Sequence, residues 1–529
     1  MNLIRDKWIE VARRSGKRER IAPVQLTAEY ADPLIEILAP RPDFRGALYQ
    51  FLIALLQTAC APEDLGEWKD RWEEPLSADQ LQQALEPHLA AFELDGKGPS
   101  FMQDFDLAET EPIGIAGLLI DAPGEKTAKD NNDHFIHQGG VKQVCPWCAA
   151  TALLTLQINA PSGGAGHRVS VRGGGPLTTL RIPQDANATL WHKLWMNVLP
   201  QNALPYDENP KLSDVLPWMA PTRTSDPNGV GDTTPETVHP LQAYWSMPRR
   251  IRLDFVDVAA GSCDLCGESS DRLLHQYRTQ NYGVNYTGVW LHPLTPYSYD
   301  PKGANVPLPI KGQKGGIGYR HWLGLTLGNE AKQPEAARMV SYFVRCSDRL
   351  PTSARDARLW CYGYDMDNMK ARCWYDSTLP LHVIPPESVD DLVRVVKVLL
   401  DVASEAASLL HKQVKAAWFK RPADVGNEPA VQLGFWQSSE TQFYKLLDKV
   451  VKTDLKDNAQ LAPLYREWLL AVQSVALSQF DLWVLSAPIE EMEMKRVVKA
   501  QTELGRFLKS GKAAKVLWQI VNTNQKEQA

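Results

Sequence analysis

The chain has 529 residues, of which 44% are hydrophobic, and its 63 acidic side chains against 57 Lys and Arg give a net charge of −6. This length predicts two or three domains, and the acidic balance excludes a protein that coats nucleic acid over its whole surface. The longest apolar stretch, around Phe51 to Ala61, is too short to span a bilayer. Charged residues from Arg5 onward and mostly scattered cysteines predict a cytoplasmic protein without a signal peptide.

The first 385 residues are irregular in pattern, with many prolines and glycine-rich turns. Met1 to Val11 predicts the entry into a strand, whereas Phe44 to Ala61 and Ser77 to Phe92 predict helices. Ser77 and Gln80 have the spacing of a capping box at the start of the second helix. Long loops are predicted over Asp121–Val144 and Pro221–Pro240. We therefore expect one mixed α/β domain over residues 1–385.

Two C-x-x-C pairs, Cys145-Pro-Trp-Cys148 and Cys263-Asp-Leu-Cys266, are the most specific motif in the chain. Each spacing lets two thiolates in a tight turn reach one tetrahedral zinc, and Gly267 suits the second turn. The pairs are much further apart than the roughly 15–20 residues of a zinc ribbon, so one metal would join two distant segments. Two unrelated pairs, or one redox pair, are the alternatives. A Cys₄ shell has no open position, which predicts a structural Zn²⁺ and not a catalytic one.

Two acid-poor windows adjoin these pairs. Asp and Glu are absent from His134 to Gln184, and only Asp300 is acidic from Arg272 to Asn329, while both windows contain several Lys and Arg. Local positive potential on an acidic protein is typical of a confined polyanion site, and loops with few charges of either sign are the alternative. Glycine also lets backbone N–H groups approach a phosphate or a groove closely. The glycine-rich segments inside the windows are Ser162–Gly166, Arg172–Gly175 and Lys311–Gly318.

After Pro385-Pro386 the pattern becomes helical. Ser388 and Asp391 form an N-cap signature, and apolar residues from Leu392 to Ala406 recur at helical spacing. Further helices are predicted over Phe435–Val451, from Pro463 onward, and over Pro488–Leu508. Four such amphipathic helices predict a four-helix bundle over residues 386–529. The predicted fold class is therefore α+β, with a large irregular mixed domain followed by this bundle.

Signatures of an enzyme are missing from the sequence. It contains no zinc-protease, serine-hydrolase or deaminase motif, and no dense cluster of carboxylates for a two-metal nuclease. His134 and His137 flank Phe135 in a polar loop without a nearby carboxylate. The sequence therefore predicts a protein that does not catalyse a reaction.

Several motifs occur along the chain in a fixed order: the opening Met1–Val11, Phe101-Met-Gln103, both C-x-x-C pairs, Arg172–Thr179, Val289-Trp-Leu-His-Pro293 and the terminal helices. Together they resemble the large subunit (CasA) of the type I-E CRISPR Cascade complex. The resemblance spans nearly the whole chain. It implies an RNA-guided complex that contains other Cascade subunits and a CRISPR guide RNA. In such a complex this subunit reads the protospacer-adjacent motif (PAM) in double-stranded target DNA, helps to open the duplex, and recruits a helicase-nuclease.

The resemblance also implies roles for individual residues. The zinc ligands are Cys145, Cys148, Cys263 and Cys266, and the loop that contacts the guide complex near the PAM is Asn131–Gln143, with Asn131, Phe135 and His137. The loop that enters the PAM minor groove corresponds to Ser162, Gly163, Gly164, Ala165 and Gly166, where Ala165 replaces a glycine. The family's groove-reading lysine falls on Asn281, with Arg278 as a candidate substitute, and the duplex-splitting wedge places Asn368 and Met369 at its tip.

The leading hypothesis is thus a DNA-recognition subunit without catalytic activity. In RNA-guided systems base pairing reads the sequence, and the protein needs only a few groups for a short duplex motif. A zinc-dependent enzyme acting on nucleic acid is disfavoured by the closed Cys₄ shell. A scaffold that contacts only partner proteins is the third hypothesis.

Overall fold

A computed structural model describes residues 1–123, 129, 136, 139–204, 210–256, 258–300, 302–327, 335–367, 370–424, 426, 428–486 and 493–527. The described residues form two compact units. The first comprises Met1–Gly316 and Ala331–Thr378, and the second comprises Ile317–Glu330 and Leu379–Ala529. The predicted α+β class is confirmed, since a mixed first unit is followed by C-terminal helices. The predicted boundary between residues 385 and 386 stays a prediction.

The strands are β1 (Ile9–Arg13), β2 (Arg18–Ile21), β3 (Leu34–Ile37), β4 (Ile113–Gly114), β5 (Thr178–Pro183), β6 (Asp232–Thr233), β7 (Arg250–Leu253), β8 (Val258–Ser262), β9 (Ser269–Leu274), β10 (Gln276–Gln280), β11 (Asn285–Tyr286), β12 (Tyr297–Ser298), β13 (Leu308–Pro309), β14 (Ala357–Asp367) and β15 (Lys370–Pro380). The helices are α1 (Pro42–Ala59), α2 (Leu65–Glu73), α3 (Ala78–Leu85), α4 (Pro146–Asn159), α5 (Leu190–Trp195), α6 (Leu212–Val215), α7 (Trp322–Thr326), α8 (Arg338–Arg345), α9 (Thr352–Arg355), α10 (Val389–Trp418), α11 (Pro429–Val450), α12 (Asn458–Val484), α13 (Met494–Ser510) and α14 (Lys512–Glu527).

The first unit is built from several small sheets and not from one large sheet. Its three-stranded sheets have the orders β2-β1-β3, β4-β10-β7 and β15-β14-β5, and the two-stranded sheets are β8-β9, β12-β13 and β11-β6. Only the β11-β6 pair is parallel among the pairings described. Short antiparallel pairs leave much of the backbone in loops, which agrees with the many prolines and glycines of this part of the sequence.

Helix α1 forms the centre of the first unit. Every residue from Phe44 to Gln57 except Arg45 is buried, as expected of a largely apolar helix surrounded by other elements. Phe51 makes edge-to-face contacts with Trp8, Phe101 and Trp245, at centroid distances of 5.4, 5.7 and 6.0 Å. Helix α4 packs against α1 and is itself almost completely buried. The two ends of α4 are therefore held firmly with respect to this core.

The capping box predicted at Ser77 and the strand entry predicted from Met1 have different outcomes. The capping box is confirmed, because Ser77 Oγ accepts from Gln80 N at 3.2 Å and Gln80 Oε1 accepts from Ser77 N at 2.9 Å. The first strand begins only at Ile9. Before it, Asn2 Oδ1 accepts from the backbone N of Ile4 and of Arg5, which holds these residues in a turn.

The second unit is a helical bundle. Helix α10 packs against α11, α12 and α13, and α14 is an additional helix, not predicted from the sequence, that packs against α12. Residues before β14 also join this unit, since the Tyr319 ring stacks on Phe443 at 4.4 Å and its hydroxyl lies 2.8 Å from Ser439 Oγ. None of the helices in the described part of the chain combines the length and the apolar character needed to cross a bilayer.

The predicted helix start at Pro463 is wrong. Helix α12 begins at Asn458, because Asp457 Oδ1 accepts from Ala459 N at 2.8 Å and caps the helix one and a half turns earlier. Pro463 then lies inside the helix, near its start. The predicted start of the fourth helix at Pro488 lies outside the described residues, and α13 begins at Met494.

Candidate metal centre and adjoining loops

The first C-x-x-C pair lies at the start of helix α4. Cys145 is the N-cap residue and Pro146 occupies the first helical position, where its missing N–H has no cost. The second pair lies in the turn between β8 and β9. Gly267 N donates to Cys263 O at 2.8 Å, and Gly267 takes a φ of +75°, a conformation that favours glycine. The second pair thus sits in a tight turn, as the spacing predicts, whereas the first occupies the start and the first turn of a helix.

A short stretch of backbone pairing brings the two turns together. Val144 N donates to Leu274 O at 3.0 Å, and Leu274 N donates to Val144 O at 2.8 Å. The four cysteine sulfurs then lie within 4.8 Å of one another, with 3.7 Å between the Sγ atoms of Cys145 and Cys266. A tetrahedral zinc with Zn–S bonds of about 2.3 Å holds its sulfurs about 3.8 Å apart. The cluster could therefore hold a metal ion of this kind.

The thiols influence one another's protonation strongly. Hydrogen bonds from Cys145 and Cys148 lower the pKa of Cys263, and a hydrogen bond from Cys148 lowers the pKa of Cys266 to about 7. Hydrogen bonds to Cys145, Cys263 and Cys266 in turn raise the pKa of Cys148. The cluster thus favours thiolate at some of its positions, and thiolate is the form that ligates a metal.

Two side chains that the sequence did not single out support the centre. The Arg20 guanidinium lies 4.4 Å from the ring centroid of Trp147, inside the first pair, and forms an ion pair with Glu268, just after the second. Asp264 Oδ2, inside the second pair, accepts from Lys142 N at 2.6 Å and from Gln143 N at 2.9 Å. Arg20 therefore contacts both turns, and Asp264 fixes the backbone that precedes the first pair.

We predict that Asp264→Ala loosens the segment before the first pair without removing the metal. The substitution deletes two hydrogen bonds to a charged acceptor, each worth about 1.5–3 kcal/mol before allowance for exposure. The amides of Lys142 and Gln143 should then exchange with deuterium at least about tenfold faster, as measured by mass spectrometry. Asp271→Ala, at an exposed position on β9, is the control. Unchanged exchange at both amides, or a loss of bound metal, would contradict this prediction.

The loop Ser162–Gly166, which we call the glycine loop, leaves the C-terminal end of α4. Gly164 and Gly166 take φ values of +80° and +74°, which explains glycine at both positions. A Cβ at Gly163 or Gly164 would meet no atom within 4 Å, so this side of the loop is open. A Cβ at Gly166 would instead lie 2.8 Å from Tyr282 N and 2.9 Å from Asn281 Cβ. The structure thus brings the glycine loop and Asn281 together.

Arg249, which no sequence pattern indicated, holds both ends of the glycine loop. Its guanidinium donates to Pro161 O before the loop and to His167 Nδ1, at 2.6 Å, after it. Burial and the charge of Arg249 lower the pKa of His167, so its neutral ring can accept this bond. The Arg249 backbone is bound in turn by the Gln157 side chain of α4, at 2.9 and 3.0 Å.

The remaining predicted residues are placed differently. Arg278 donates to Thr110 O, and its Nη2 lies 3.3 Å from an Asp254 carboxylate oxygen. Its positive charge therefore forms an ion pair within the protein. Asn131, Phe135 and His137 of the guide-side loop lie outside the described residues. Asn368 and Met369 of the wedge also lie outside them, although the strands β14 and β15 on either side are described.

Comparison with known proteins gives one consistent result. The profile of the family described as "CRISPR-associated protein Cse1" matches residues 2–479. The crystal structure of Thermobifida fusca Cse1 is similar at 17% identity and a TM-score of 0.71, over 98% of each chain. Thermus thermophilus CasA (Cse1) is similar at 19% identity and a TM-score of 0.70, over 96% of this chain and 99% of that one. A chain from a structure described as a "CRISPR RNA-guided surveillance complex" has 16% identity and a TM-score of 0.66, with the same coverage.

The family match covers far more than half of the chain, and these similar structures share its fold almost from end to end. The chain therefore belongs to the Cse1 family of CRISPR-associated proteins.

Proposed function

We propose that this chain is the DNA-recognition subunit of an RNA-guided surveillance complex of the Cascade type. In this role it binds other Cascade subunits and the guide RNA, reads the PAM in duplex DNA, promotes strand opening and recruits a helicase-nuclease. It performs no catalysis itself. Membership of the Cse1 family supports the assignment, as does the similar chain from a surveillance complex.

The strongest structural support for this proposal is the glycine loop, which is fixed at both ends and open in the middle. Arg249 fixes its two ends, while Gly163 and Gly164 between them have open space where side chains would be. A narrow minor groove admits backbone without side chains, and its degenerate pattern needs few polar contacts. Asn281, whose Cβ lies beside Gly166, would add one such contact.

We further propose that the Cys₄ centre holds a structural Zn²⁺. The ligands would be Cys145, Cys148, Cys263 and Cys266, whose sulfur atoms lie close enough together to share this ion. When bound, the ion supplies cross-linking of two distant segments and not a reactive ligand, because the thiolates fill its shell. It would secure the start of α4, from whose other end the glycine loop leaves.

Gel shifts with the assembled complex test the proposal. Targets that match the guide should bind tightly with an intact PAM and at least about tenfold more weakly with a scrambled PAM, at one fixed salt concentration. Equal binding of both targets would identify a scaffold. Cleavage of DNA by this subunit alone would identify an enzyme.

The proposed wedge gives a separate prediction. Met can slide beneath an unstacked base pair, and Asn can hydrogen-bond to bases that have lost their partner. Asn368→Ala combined with Met369→Ala should therefore slow R-loop opening on linear DNA by at least about tenfold. Negative supercoiling should restore part of the rate, because it supplies unwinding energy independently, and a target with the first seed pairs already mismatched should restore more. Equal opening rates for mutant and wild type on linear duplex would refute the wedge assignment.

A further inference from the structure

The three glycine-rich segments of the sequence meet in the first unit. Gly175 N donates to Asn159 O at 2.9 Å, at the end of α4 from which the glycine loop departs. On the other side, Gly312 N donates to Gly175 O at 3.0 Å and Leu177 N donates to Ile310 O at 2.8 Å. The turn Gly173–Gly175, which we call the triglycine turn, therefore lies between the start of the glycine loop and the segment around Lys311.

The triglycine turn is in close contact with the start of the glycine loop. A Cβ at Gly174 would overlap Pro161 Cα and lie 3.1 Å from Pro161 Cβ and 3.2 Å from Ala160 O. Gly174 does not have a positive φ, so its backbone conformation would accept other residues. Close packing against the residue before the glycine loop is therefore what requires glycine at this position.

The same turn is in close contact with the end of β14 that leads into the turn of the β14–β15 hairpin. A Cβ at Gly175 would lie 2.5 Å from Met366 Cγ and 3.1 Å from Tyr364 O. A Cβ at Gly312, which pairs with Gly175, would overlap Tyr364 O. From residue 174 to residue 175 the turn thus passes from contact with Ala160 and Pro161, just before the glycine loop, to contact with β14.

The triglycine turn is also anchored in the core. Arg172, which precedes it, is buried and donates to Gln50 Oε1 of α1 at 2.8 Å and to Thr178 Oγ1 at 2.9 Å. Lys311 Nζ donates to Arg172 O at 2.9 Å, and a Cβ at Gly173 would overlap this ammonium group. Tyr362 of β14 donates to Gly46 O of α1 at 3.0 Å. The triglycine turn and strand β14 are thus bound to the same helix.

From these contacts we propose that the triglycine turn is a positioning element that sets the distance between the glycine loop and the β14–β15 hairpin. The proposal rests on the proposed function, in which the loop reads the PAM and the hairpin opens the adjoining base pair. At the distance that the turn sets, the hairpin would contact the first base pair when the glycine loop is bound in the minor groove. A methyl group at Gly174 displaces the loop from the hairpin without adding any atom at a DNA-contacting position.

The spacing itself can be measured in the full-length protein without DNA. Nitroxide labels are attached through encoded ketone amino acids in place of the exposed residues Ser162 and Cys373, which leaves the thiols of the metal centre unmodified. Double electron–electron resonance should give a narrow distance distribution. Gly174→Ala should shift its mean by about 1 Å or more, because an added Cβ would lie 2.4 Å from Pro161 Cα and must move out to an ordinary contact of 3.4–4 Å. Gly114→Ala, at a site with open space and a φ of −59°, should not shift it.

A second variant avoids overpacking. Met366→Ala removes the side chain beside Gly175, so the turn end of β14 should loosen and the distance distribution should broaden. Thermal unfolding should show that the fold is kept. Distributions that are unchanged in both variants would overturn the proposal.

The assembled complex provides the functional measurement. Gly174→Ala should slow R-loop opening at least about fivefold at saturating PAM-containing DNA, and a pre-melted target should restore the wild-type rate. A general folding defect would slow both targets alike. A changed distance with normal opening on paired DNA would overturn the positioning role. An absence of PAM dependence in the wild-type complex would instead refute the proposed function, while the distance measurement would still decide whether the turn sets the spacing.

Discussion

Replacing Cys145 with serine should release the bound metal and destabilise the first unit by more than about 4 kcal/mol, an effect expected only when a major feature such as a metal is lost. Cys145 is fully buried at the start of α4, and its sulfur is one of four that converge on one point. Three remaining thiols cannot complete a tetrahedral shell, so binding energy that contributes to folding is lost. Elemental analysis of the purified protein and its denaturant unfolding curve measure the two effects.

Cys263→Ser should produce the same loss, because each of the two segments supplies two ligands and neither pair suffices alone. Cys373→Ser is the matched control, since this thiol is exposed on β15 and is not part of the cluster. We expect that variant to retain about one zinc per chain and the wild-type stability. Well-folded wild-type protein that binds no zinc, or a Cys145→Ser protein with unchanged stability, would refute the metal centre.

The second large effect is expected at Gly163. Gly163→Asp should weaken PAM-dependent binding by the assembled complex at least about a hundredfold, or ~2.7 kcal/mol, and leave the stability of the free protein unchanged. The position has no positive φ and no neighbour within 4 Å of an added Cβ, so the protein itself tolerates a side chain there. A loss of binding would therefore report a contact made with DNA. Affinities for intact and scrambled PAM at one salt concentration provide the measurement.

Gly98→Asp is the control for Gly163→Asp, because it adds the same charge at another glycine with open space and an ordinary φ. Binding that is unchanged by Gly163→Asp would place the glycine loop away from DNA. Gly166 is a less informative position. Its added Cβ would strike Tyr282 and Asn281 and its φ is +74°, so Gly166→Asp distorts the loop from within before any DNA is present.

The Cys₄ cluster could be predicted from the sequence because the information for it is local. Each C-x-x-C pair specifies a turn with two ligands, and four thiolates in two turns suggest one ion whatever the distance between them along the chain. The glycine of the second turn, Gly267, has the positive φ that its place in the motif suggests. Local signals also predicted the Ser77 capping box and the position where α10 begins, although Ser388 makes no side-chain capping hydrogen bond there.

The supporting residues could not be predicted in the same way, because their partners are distant in the sequence. Arg249 acts on Pro161 and His167 through folding that brings β7 beside the end of α4, and no spacing rule marks such a residue. The meeting of the three glycine segments likewise depends on pairing between residues near 175 and 312. Two residues near the start of α12 are both typical of a helix start, Pro463 and the capping residue Asp457. The helix begins directly after Asp457.

Helix α4 also limits how this protein can vary in length. The helix begins at one cysteine turn and ends where the glycine loop departs, and its 14 residues span about 21 Å. One inserted residue would rotate the departing loop by about 100° about the helix axis, and a whole extra turn would restore its direction but carry it about 5.4 Å further from the core. Insertions and deletions should therefore be tolerated in the surrounding surface loops and rejected between Cys148 and Pro161.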